Sequence, residues 1–410
     1  MNERIVPVNG ESTLQEVAFT DAPHETRTPL RVGAEALNDE EGSPTRGPAA
    51  KGLSREDEAL VVWFPEGLLT HPYCELLYRA LARQGVERRD ATGFWVWGRI
   101  RPARGAVFHI HWADHYVISG NRVRTLLKIS AFTLELLMLR ARGVRIVWTV
   151  HNLKNHENAL PVLDRIGSTI LAHLATSLIF HCEAGKRMGL ARFRLRDPSK
   201  CHVIPHGHFI ERYGVGPTRA EARAELGLAA EERVYLVFGL IRPYKGLDRL
   251  LEVFEKIREP GERLLIVGGL YGSMDRGWPE RARKAYPSAT LIIEKVPDQR
   301  VPLYFRAADV GVFPYRDILT SGAMILAMGY GLPCVAPRAG CIEETLAPEG
   351  NVLFDPEDDA SLGRAIETMR EKSGRFAEMG AENARRARDF DWDEIAERTI
   401  EAYRGTKRAG

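Results

Sequence analysis

Short apolar runs alternate with amphipathic segments along most of the chain. "ALVVWFP" (59–65) has the composition of a buried strand, and "YCELLYRALARQG" follows it with helical spacing and a terminal glycine. The alternation continues to about residue 208, and after a polar stretch it starts again at "RVYLVFG" (233–239). Strands that alternate with helices are typical of a parallel sheet covered on both faces. The pattern therefore predicts an α/β fold with two βαβ units in series.

These two units define the expected domain organisation. We predict a first domain over 58–208 and a second over 209–389. Residues 1–57 are rich in Glu, Asp, Pro, Gly, Thr and Ala and have little apolar periodicity, which predicts a disordered tail. Ligands of such folds bind beyond the carboxyl ends of the strands. Functional residues are therefore expected in the strand-to-helix loops that face a cleft between the domains.

Composition narrows the class of protein. The 410 residues carry a formal net charge of +2, which predicts no global attraction to nucleic acid. The five cysteines lack CxxC spacing, so neither a disulfide framework nor a zinc site is expected, and a reducing cytoplasm fits. No apolar run reaches the roughly 18 residues of a membrane span, and the N-terminus lacks a signal-peptide core. We expect a cytoplasmic protein.

Two loops of the second domain have the chemistry of anion sites. "GLIRPYKG" places Gly239, Arg242 and Lys245 between a buried strand and a helix, where two cations and flexible glycines suit a diphosphate. "TSGAMILAMGYGLPCVAP" begins with Thr320, Ser321 and Gly322 at the start of another helix. The alternative interpretation is that these are solvated charges and ordinary helix caps. Two such loops in one domain favour a diphosphate site.

Several longer stretches resemble a known family. "VIPHGHF", "FGLIRPYKGLDRLLEVF", "LLIVGG", "VPDQRVPLYFRAADVGVFPY", "AMGYGLPCVAP" and "VLFDPEDDASLGRAI" follow the order found in GT-B-fold glycosyltransferases, and they span most of residues 201–366. The resemblance is to the large group of bacterial mannosyl- and glucosyltransferases of glycolipid and polysaccharide synthesis, glycosyl transferases group 1. It implies two Rossmann-like domains facing a cleft, with a C-terminal helix over 390–405 packing back on the first.

The resemblance also implies a donor and its contacts. The donor would be a nucleotide-diphosphate sugar, bound by the second domain without a metal or other cofactor. Arg242, Lys245 and the turn at 320–322 would neutralise the leaving diphosphate. Arg316 either assists them or is solvated. Val296 and Pro297 would lie in the region that binds the nucleotide base.

The chain departs from the family pattern at one pair of positions. Most members of the group carry two glutamates with seven residues between them, and the second contacts the ribose. Here Ile318 and Leu326 occupy those positions. The absence of the carboxylates leaves the ribose contacts and the stereochemistry, retaining or inverting, unassigned by the resemblance.

The first domain supplies the candidate acid–base residues. His151 ends the strand "RIVWTV" and matches the family's sugar-contacting histidine, so we expect it to act on the sugar or acceptor. An inverting reaction needs a general base, for which Glu157, Asp114 and His151 are the candidates. His111, Asn152 and His206 are further candidates for contacting the sugar or acceptor, with packing as the equal alternative for both histidines. His181 in "LIFHC" is interpreted as structural.

These observations predict a glycosyltransferase that moves a hexosyl unit from a nucleotide sugar to a saccharide or a polyprenyl-diphosphate-linked acceptor. The alternatives are an epimerase or phosphorylase of the same architecture and a non-catalytic partner that binds nucleotide sugars. The helix "NRVRTLLKISAFTLELLMLRARG" has basic ends, and "GKRMGLARFRLRDPSK" adds a cationic cluster. A core helix with solvated charges is one interpretation of these segments. The other is peripheral contact with the inner face of a membrane.

Overall fold

The computed structural model describes residues 60–65, 71–91, 106–155, 160–272 and 274–405. It contains two parallel six-stranded sheets, and among the described residues helices connect most successive strands. The predicted α/β class is therefore confirmed. The tail predicted for 1–57 lies outside the described residues, as does Glu157.

The first sheet has the strand order β2-β1-β3-β4-β5-β6. The edge strand β2 was not predicted, because its residues "ERRDA" are charged and four of the five are exposed. The strands are β1 (Val61–Pro65), β2 (Glu87–Ala91), β3 (Val107–Ile110), β4 (Arg145–Thr149), β5 (Ser177–Phe180) and β6 (Cys201–Val203). The helices are α1 (Pro72–Arg83), α2 (Asp114–Val117), α3 (Arg122–Ala141), α4 (Pro161–Leu174) and α5 (Glu183–Phe193).

The second sheet has the strand order β12-β11-β10-β7-β8-β9. Its strands are β7 (Arg233–Phe238), β8 (Glu262–Val267), β9 (Ala289–Ile292), β10 (Val310–Val312), β11 (Cys334–Pro337) and β12 (Asn351–Phe354). The helices from the end of the first sheet onward are α6 (Ile210–Tyr213), α7 (Arg219–Glu225), α8 (Leu247–Ile257), α9 (Trp278–Ala285), α10 (Val301–Ala307), α11 (Gly322–Gly329), α12 (Ile342–Thr345), α13 (Ser361–Glu371), α14 (Phe376–Arg388) and α15 (Trp392–Arg404).

The last helix, α15, returns to the first sheet and packs against α1. The Tyr403 hydroxyl lies 2.7 Å from Nδ1 of His109 on β3, and Ser177 at the start of β5 donates to the carbonyl of Ala402 at 2.8 Å. The indole of Trp392 donates to the carbonyl of His208 at 2.6 Å. These contacts make α15 part of the layer that covers the first sheet. No helix in the described ranges is long and apolar enough to span a membrane.

Candidate active site

The second sheet reverses its strand order between β7 and β10. Both strands are parallel, so their carboxyl ends open a crevice between the loops that follow them. Such a reversal is where open α/β sheets bind ligands. The loop after β7 holds Gly239 to Gly246, and the loop after β10 leads to Ser321.

The loop after β7 is pressed against the end of β10. Gly246 has φ 69°, and a Cβ at this position would lie 2.3 Å from the carbonyl oxygen of Pro314. Gly239 has φ 103°, and a Cβ there would lie 3.3 Å from the ammonium nitrogen of Lys245. The two glycines therefore let the backbone fold closely around one lysine side chain.

Lys245 is a buried cation, with 7% of its surface exposed. Burial lowers the pKa of Lys245 to about 7, and the charge of nearby Arg242 adds to the shift. The ammonium lies 6.0 Å from the ring centroid of Tyr315. A buried cation at the mouth of a crevice is stabilised by an anion that enters it.

The first residues of α11 contact Tyr315, whose ring lies near the Lys245 ammonium. Ser321 is the N-cap and accepts from the N–H of Met324 at 3.3 Å, while its hydroxyl is 3.1 Å from the Tyr315 hydroxyl. A Cβ on Gly322 would lie 3.3 Å from the Phe209 ring and 3.9 Å from Nε2 of His206. Free N–H groups and the positive end of the helix dipole both favour an anion here.

Tyr315 thus lies beside both Lys245 and Ser321, and Gly239 lies against Lys245. We call Gly239, Lys245 and the 320–322 turn the diphosphate site, after the prediction made from the sequence. Two other predicted cations point elsewhere. The Arg242 guanidinium stacks 3.6 Å from the ring centroid of Tyr271, and the exposed Arg316 lies 3.8 Å from Asp359. Lys245 is the buried cation of the site, and contact of Arg242 or Arg316 with a diphosphate stays a prediction.

The two residues that replace the family's glutamates are buried. Ile318 and Leu326 are 6% and 5% exposed and belong to the apolar core beneath the site. They contribute packing and offer no hydrogen bond to a ribose.

Four histidines converge at the carboxyl edge of the first sheet. His111 follows β3, His151 follows β4, His181 follows β5 and His206 follows β6. Nδ1 of His111 is 3.1 Å from Nε2 of His151, and Nδ1 of His151 is 3.2 Å from Nε2 of His181. Nδ1 of His181 lies 3.0 Å from the carbonyl of Ile204. We call His111, His151, His181 and His206 the histidine cluster.

The carbonyl of Ile204 fixes the direction of this chain of hydrogen bonds. A carbonyl only accepts, so His181 carries its proton on Nδ1. In the neutral cluster Nε2 of His181 then accepts from His151, and Nε2 of His151 accepts from His111. His111 is left with an unprotonated Nε2, which is buried and has no partner among the described residues. The rings of His111, His151 and His181 are therefore all protonated on Nδ1.

Burial keeps the cluster neutral. It lowers the pKa of His181 to about 4 and those of His111, His151 and His206 well below the usual range. Tyr73 of α1 stands at the centre, and its ring centroid lies 4.7 Å from those of His151 and His206. Within the described residues, no three His, Cys, Asp or Glu side chains are arranged to hold a metal ion.

This geometry occupies both ring nitrogens of His151. Both of its ring nitrogens are hydrogen-bonded to other histidines, its face stacks on Trp112 at 4.4 Å, and it is 5% exposed. Its direct action on a substrate stays a prediction. The sequence interpretation of His181 missed the bond to His151, and Tyr73 was not singled out at all.

Among the described residues, Asp114 is the predicted carboxylate beside the cluster. It begins α2, is half-buried and accepts from the side-chain amide of Asn155 at 2.9 Å. Asp114, Asn152, His111 and His151 line one small cavity of about 20 Å³. Val296 and Pro297 follow β9, two strands from β7, and Val296 packs against the core.

The expectation of no disulfide was wrong. Cys182 at the start of α5 is bonded to Cys341 before α12, with 5.5 Å between their Cα atoms. The bond joins residues 159 positions apart in the sequence, so spacing alone gave no sign of it. Cys74, Cys201 and Cys334 are free and buried. The disulfide links the carboxyl edges of the two sheets.

Two further contacts cross at the same edge. The carboxylate of Glu344 accepts from the backbone N–H groups of Glu183 and Ala184 at 2.8 and 2.7 Å, and so caps α5 from the other sheet. Lys154 after β4 forms an ion pair with Asp317 after β10. These contacts and the disulfide hold the two edges together around a cleft.

The cleft contains an open cavity of about 620 Å³. Residues of the first sheet form one side and residues 317–319 and Tyr244 form the other. The lining residues are Asn152, Leu153, Lys154, Asn155, Arg165, Met188, Ala191, Arg192, Tyr244, Asp317, Ile318 and Leu319.

Comparison with protein families decides the class of the protein. Residues 232–372 match the family model described as glycosyl transferases group 1. This segment is a glycosyl transferases group 1 domain. Lys245 and the 320–322 turn both lie inside the matched segment.

Curated relatives of this transferase are enzymes of the same kind. GDP-mannose:glycolipid 4-beta-D-mannosyltransferase of Xanthomonas campestris pv. campestris is 27% identical over 303 residues, which cover 72% of this chain and 78% of the relative. D-inositol 3-phosphate glycosyltransferase of Streptomyces scabiei is 29% identical over 331 residues, covering 75% of this chain and 69% of the relative.

Solved structures show the fold of the transferase. Sucrose-phosphate synthase from Thermosynechococcus elongatus aligns with a TM-score of 0.62 at 20% identity, covering 84% of this chain and 98% of that one. Anabaena HepE in complex with UDP and glucose aligns with a TM-score of 0.64 at 16% identity, covering 83% and 98%. The fold is GT-B, as the resemblance implied.

We predict that Lys245→Ala weakens nucleoside diphosphate binding by about 1.5–3 kcal/mol, the contribution of a hydrogen bond to a charged group. Because the pKa of Lys245 is about 7 and a bound diphosphate raises it, wild-type affinity should fall as pH rises above 7. Calorimetric titration between pH 6 and 9 measures both effects. The exposed Arg316→Ala is the matched control. Lys245 would be excluded from the site if a folded Lys245→Ala variant bound the nucleotide with unchanged affinity. The same conclusion would follow if the affinity of the variant and of the wild type changed equally with pH.

Proposed function

We propose that the transferase moves a hexosyl unit from a nucleotide-diphosphate sugar to a saccharide or lipid-linked acceptor. The observation that carries the proposal is the position of Tyr315 at the strand reversal, beside both the buried Lys245 and the N-cap Ser321 of α11. The site offers the leaving diphosphate a buried cation and a helix N-terminus. The proposed mechanism uses these groups in place of a resident metal.

A panel of nucleotide sugars tests the proposal. Thermal-shift screening identifies the donor, and transfer to candidate glycolipid acceptors is then measured with that donor. Transfer supports the proposal. Conversion of the donor to an isomer without an acceptor indicates an epimerase, and binding without turnover indicates a non-catalytic partner.

The proposed stereochemistry is inversion at the anomeric carbon. The Xanthomonas relative is named for a β-mannosyl linkage made from GDP-mannose, and this linkage requires inversion if the donor sugar is α-linked. Inversion needs a base that removes the proton of the acceptor hydroxyl. We assign that role to Asp114, because Asn155 orients its carboxylate and the buried His151 has no nitrogen free.

Asp114→Asn is therefore expected to lower turnover by roughly 10²–10⁴-fold, the usual contribution of a general base, with little change in donor affinity. Nuclear magnetic resonance of the product gives the anomeric configuration. Loss of turnover in Glu157→Gln with Asp114→Asn still active would move the role to Glu157. A retained configuration would remove the need for either base.

We also propose peripheral contact with an anionic membrane through α3 and α4. Five leucine or valine side chains on α3 are 43–65% exposed, and the one acidic residue of this helix, Glu135, is 6% exposed. Val162 and Ile166 of the adjacent α4 are 70% and 45% exposed. Apolar side chains beside basic ones suit an anionic lipid surface. The five side chains on α3 are Val123, Leu126, Leu127, Leu134 and Leu137.

Replacing Leu127 and Leu137 with Gln should lower binding to phosphatidylglycerol vesicles by at least about tenfold, since burying each leucine contributes about 1.5–3 kcal/mol. Sedimentation with the vesicles measures the bound fraction. Val215→Gln, an equally exposed apolar residue outside α3 and α4, is the control. Equal binding of both variants would exclude this face.

A further inference from the structure

We propose that the 620 Å³ cavity binds the anionic end of a lipid-linked acceptor, a prenyl phosphate or diphosphate, through Arg165 and Arg192. The proposal rests on the proposed function, because it assigns the acceptor of that reaction to a place in the cleft. The shared chemistry is a phosphate group, and the attached apolar chain distinguishes the lipid from a free anion.

The cavity has cationic donors that the protein leaves available. Arg165 is exposed, and no described carboxylate pairs with it. Arg192 donates through Nη2 to the buried Asp164 at 3.1 Å, but its Nε is buried without a hydrogen-bond partner among the described residues. Guanidinium groups bind phosphate through several parallel hydrogen bonds. Lys154 is already paired with Asp317 and is not required.

Part of the remaining lining is apolar, which an inorganic anion does not need, and its one carboxylate, Asp317, is paired with Lys154. Leu153, Met188, Ile318 and Leu319 contribute to the wall, and Met188 is 43% exposed. Arg165 also lies on α4 next to Ile166, which is 45% exposed. An amphiphile whose phosphate contacts Arg165 can therefore continue along the apolar surface of α4.

The cavity adjoins the diphosphate site without sharing its residues. Lys245, Ser321 and Gly322 do not line it, and Tyr244 and Leu319 belong to its opposite side. The donor diphosphate and the acceptor phosphate thus have different contacts. The sugar hydroxyl that is to be glycosylated would lie between the two anions.

Calorimetry on the full chain tests the assignment, with the diphosphate site first saturated by GDP or UDP, whichever binds. The probes are geranyl diphosphate, geraniol and inorganic pyrophosphate. We expect geranyl diphosphate to bind more tightly than pyrophosphate and geraniol not to bind. Arg165→Gln should weaken geranyl diphosphate by at least about tenfold and leave the nucleotide affinity unchanged. Arg187→Gln, an exposed arginine of α5 outside the cavity, should change the affinity by less than about twofold.

Three results would overturn the proposal. Equal effects of Arg165→Gln and Arg187→Gln would show general attraction to positive charge. Equal affinities for geranyl diphosphate and pyrophosphate would show a site for free anions. Loss of geranyl diphosphate binding on saturation with nucleotide would place it in the diphosphate site. If no nucleotide sugar is bound or turned over while the Arg165 effect persists, the proposed function fails and this site stands.

Discussion

Acidification from pH 6.5 to pH 4 is expected to destabilise the folded chain strongly. His109 and His181 are 0% and 6% exposed, and burial lowers their pKa values to about 3 and about 4. In the unfolded chain both histidines gain a proton near pH 6.5, whereas in the folded chain they stay neutral until pH 3–4. The unfolded state therefore binds more protons in this range, and the stability falls as pH decreases.

At pH 4 each histidine is expected to lower the free energy of unfolding by about 3 kcal/mol, because each unit of pKa shift corresponds to about 1.4 kcal/mol. Two such losses approach half or more of the stability of a typical domain. Urea unfolding at pH 8, 6.5 and 5 measures the change. His109→Gln should flatten the pH dependence. Equal stability at pH 8 and pH 5 would contradict a neutral, buried cluster.

Reduction of the Cys182–Cys341 bond is expected to lower the stability of the chain by a similarly large amount. The bond joins cysteines 159 positions apart and so restricts the unfolded chain. Releasing this restriction raises the entropy of the unfolded chain, which lowers the free energy of unfolding by about 5 kcal/mol. Urea unfolding with and without a phosphine reductant should show this difference. Cys182→Ser should be equally destabilised and insensitive to the reductant.

Thiol titration in denaturant provides the control for that experiment. Of the five cysteines, three are free in the structure, so the unreduced chain should titrate three thiols and the reduced chain five. Five thiols in the unreduced chain would show that the bond does not form in the isolated protein.

The sequence was most informative where the physical signal is local. The alternation of apolar strands and amphipathic helices predicted both sheets, and it failed at β2 because an edge strand does not need to be apolar. The diphosphate loops could be proposed from the sequence because glycines, cations and helix caps act within a few residues. The role of Lys245 and Ser321 in holding a diphosphate stays a prediction.

Contacts between distant segments were harder to predict. Each histidine of the cluster could be placed at the end of a strand, but their mutual hydrogen bonds depend on side-chain direction in four different strands. His181 was therefore interpreted as structural. The disulfide depends on how the two sheets meet, for which the sequence carries no periodic signal. The roles of Glu157 and the N-terminal tail stay predictions, since both lie outside the described residues.

The disulfide also constrains motion. Two backbone segments connect the sheets, one after β6 and one between α14 and α15, and the Cys182–Cys341 bond is a third connection at the cleft edge. Two connections allow one sheet to rotate against the other as on a hinge, and a third connection away from that axis prevents the rotation. In the oxidised chain, substrates must therefore enter through movements of individual loops, with the two sheets held at a fixed angle.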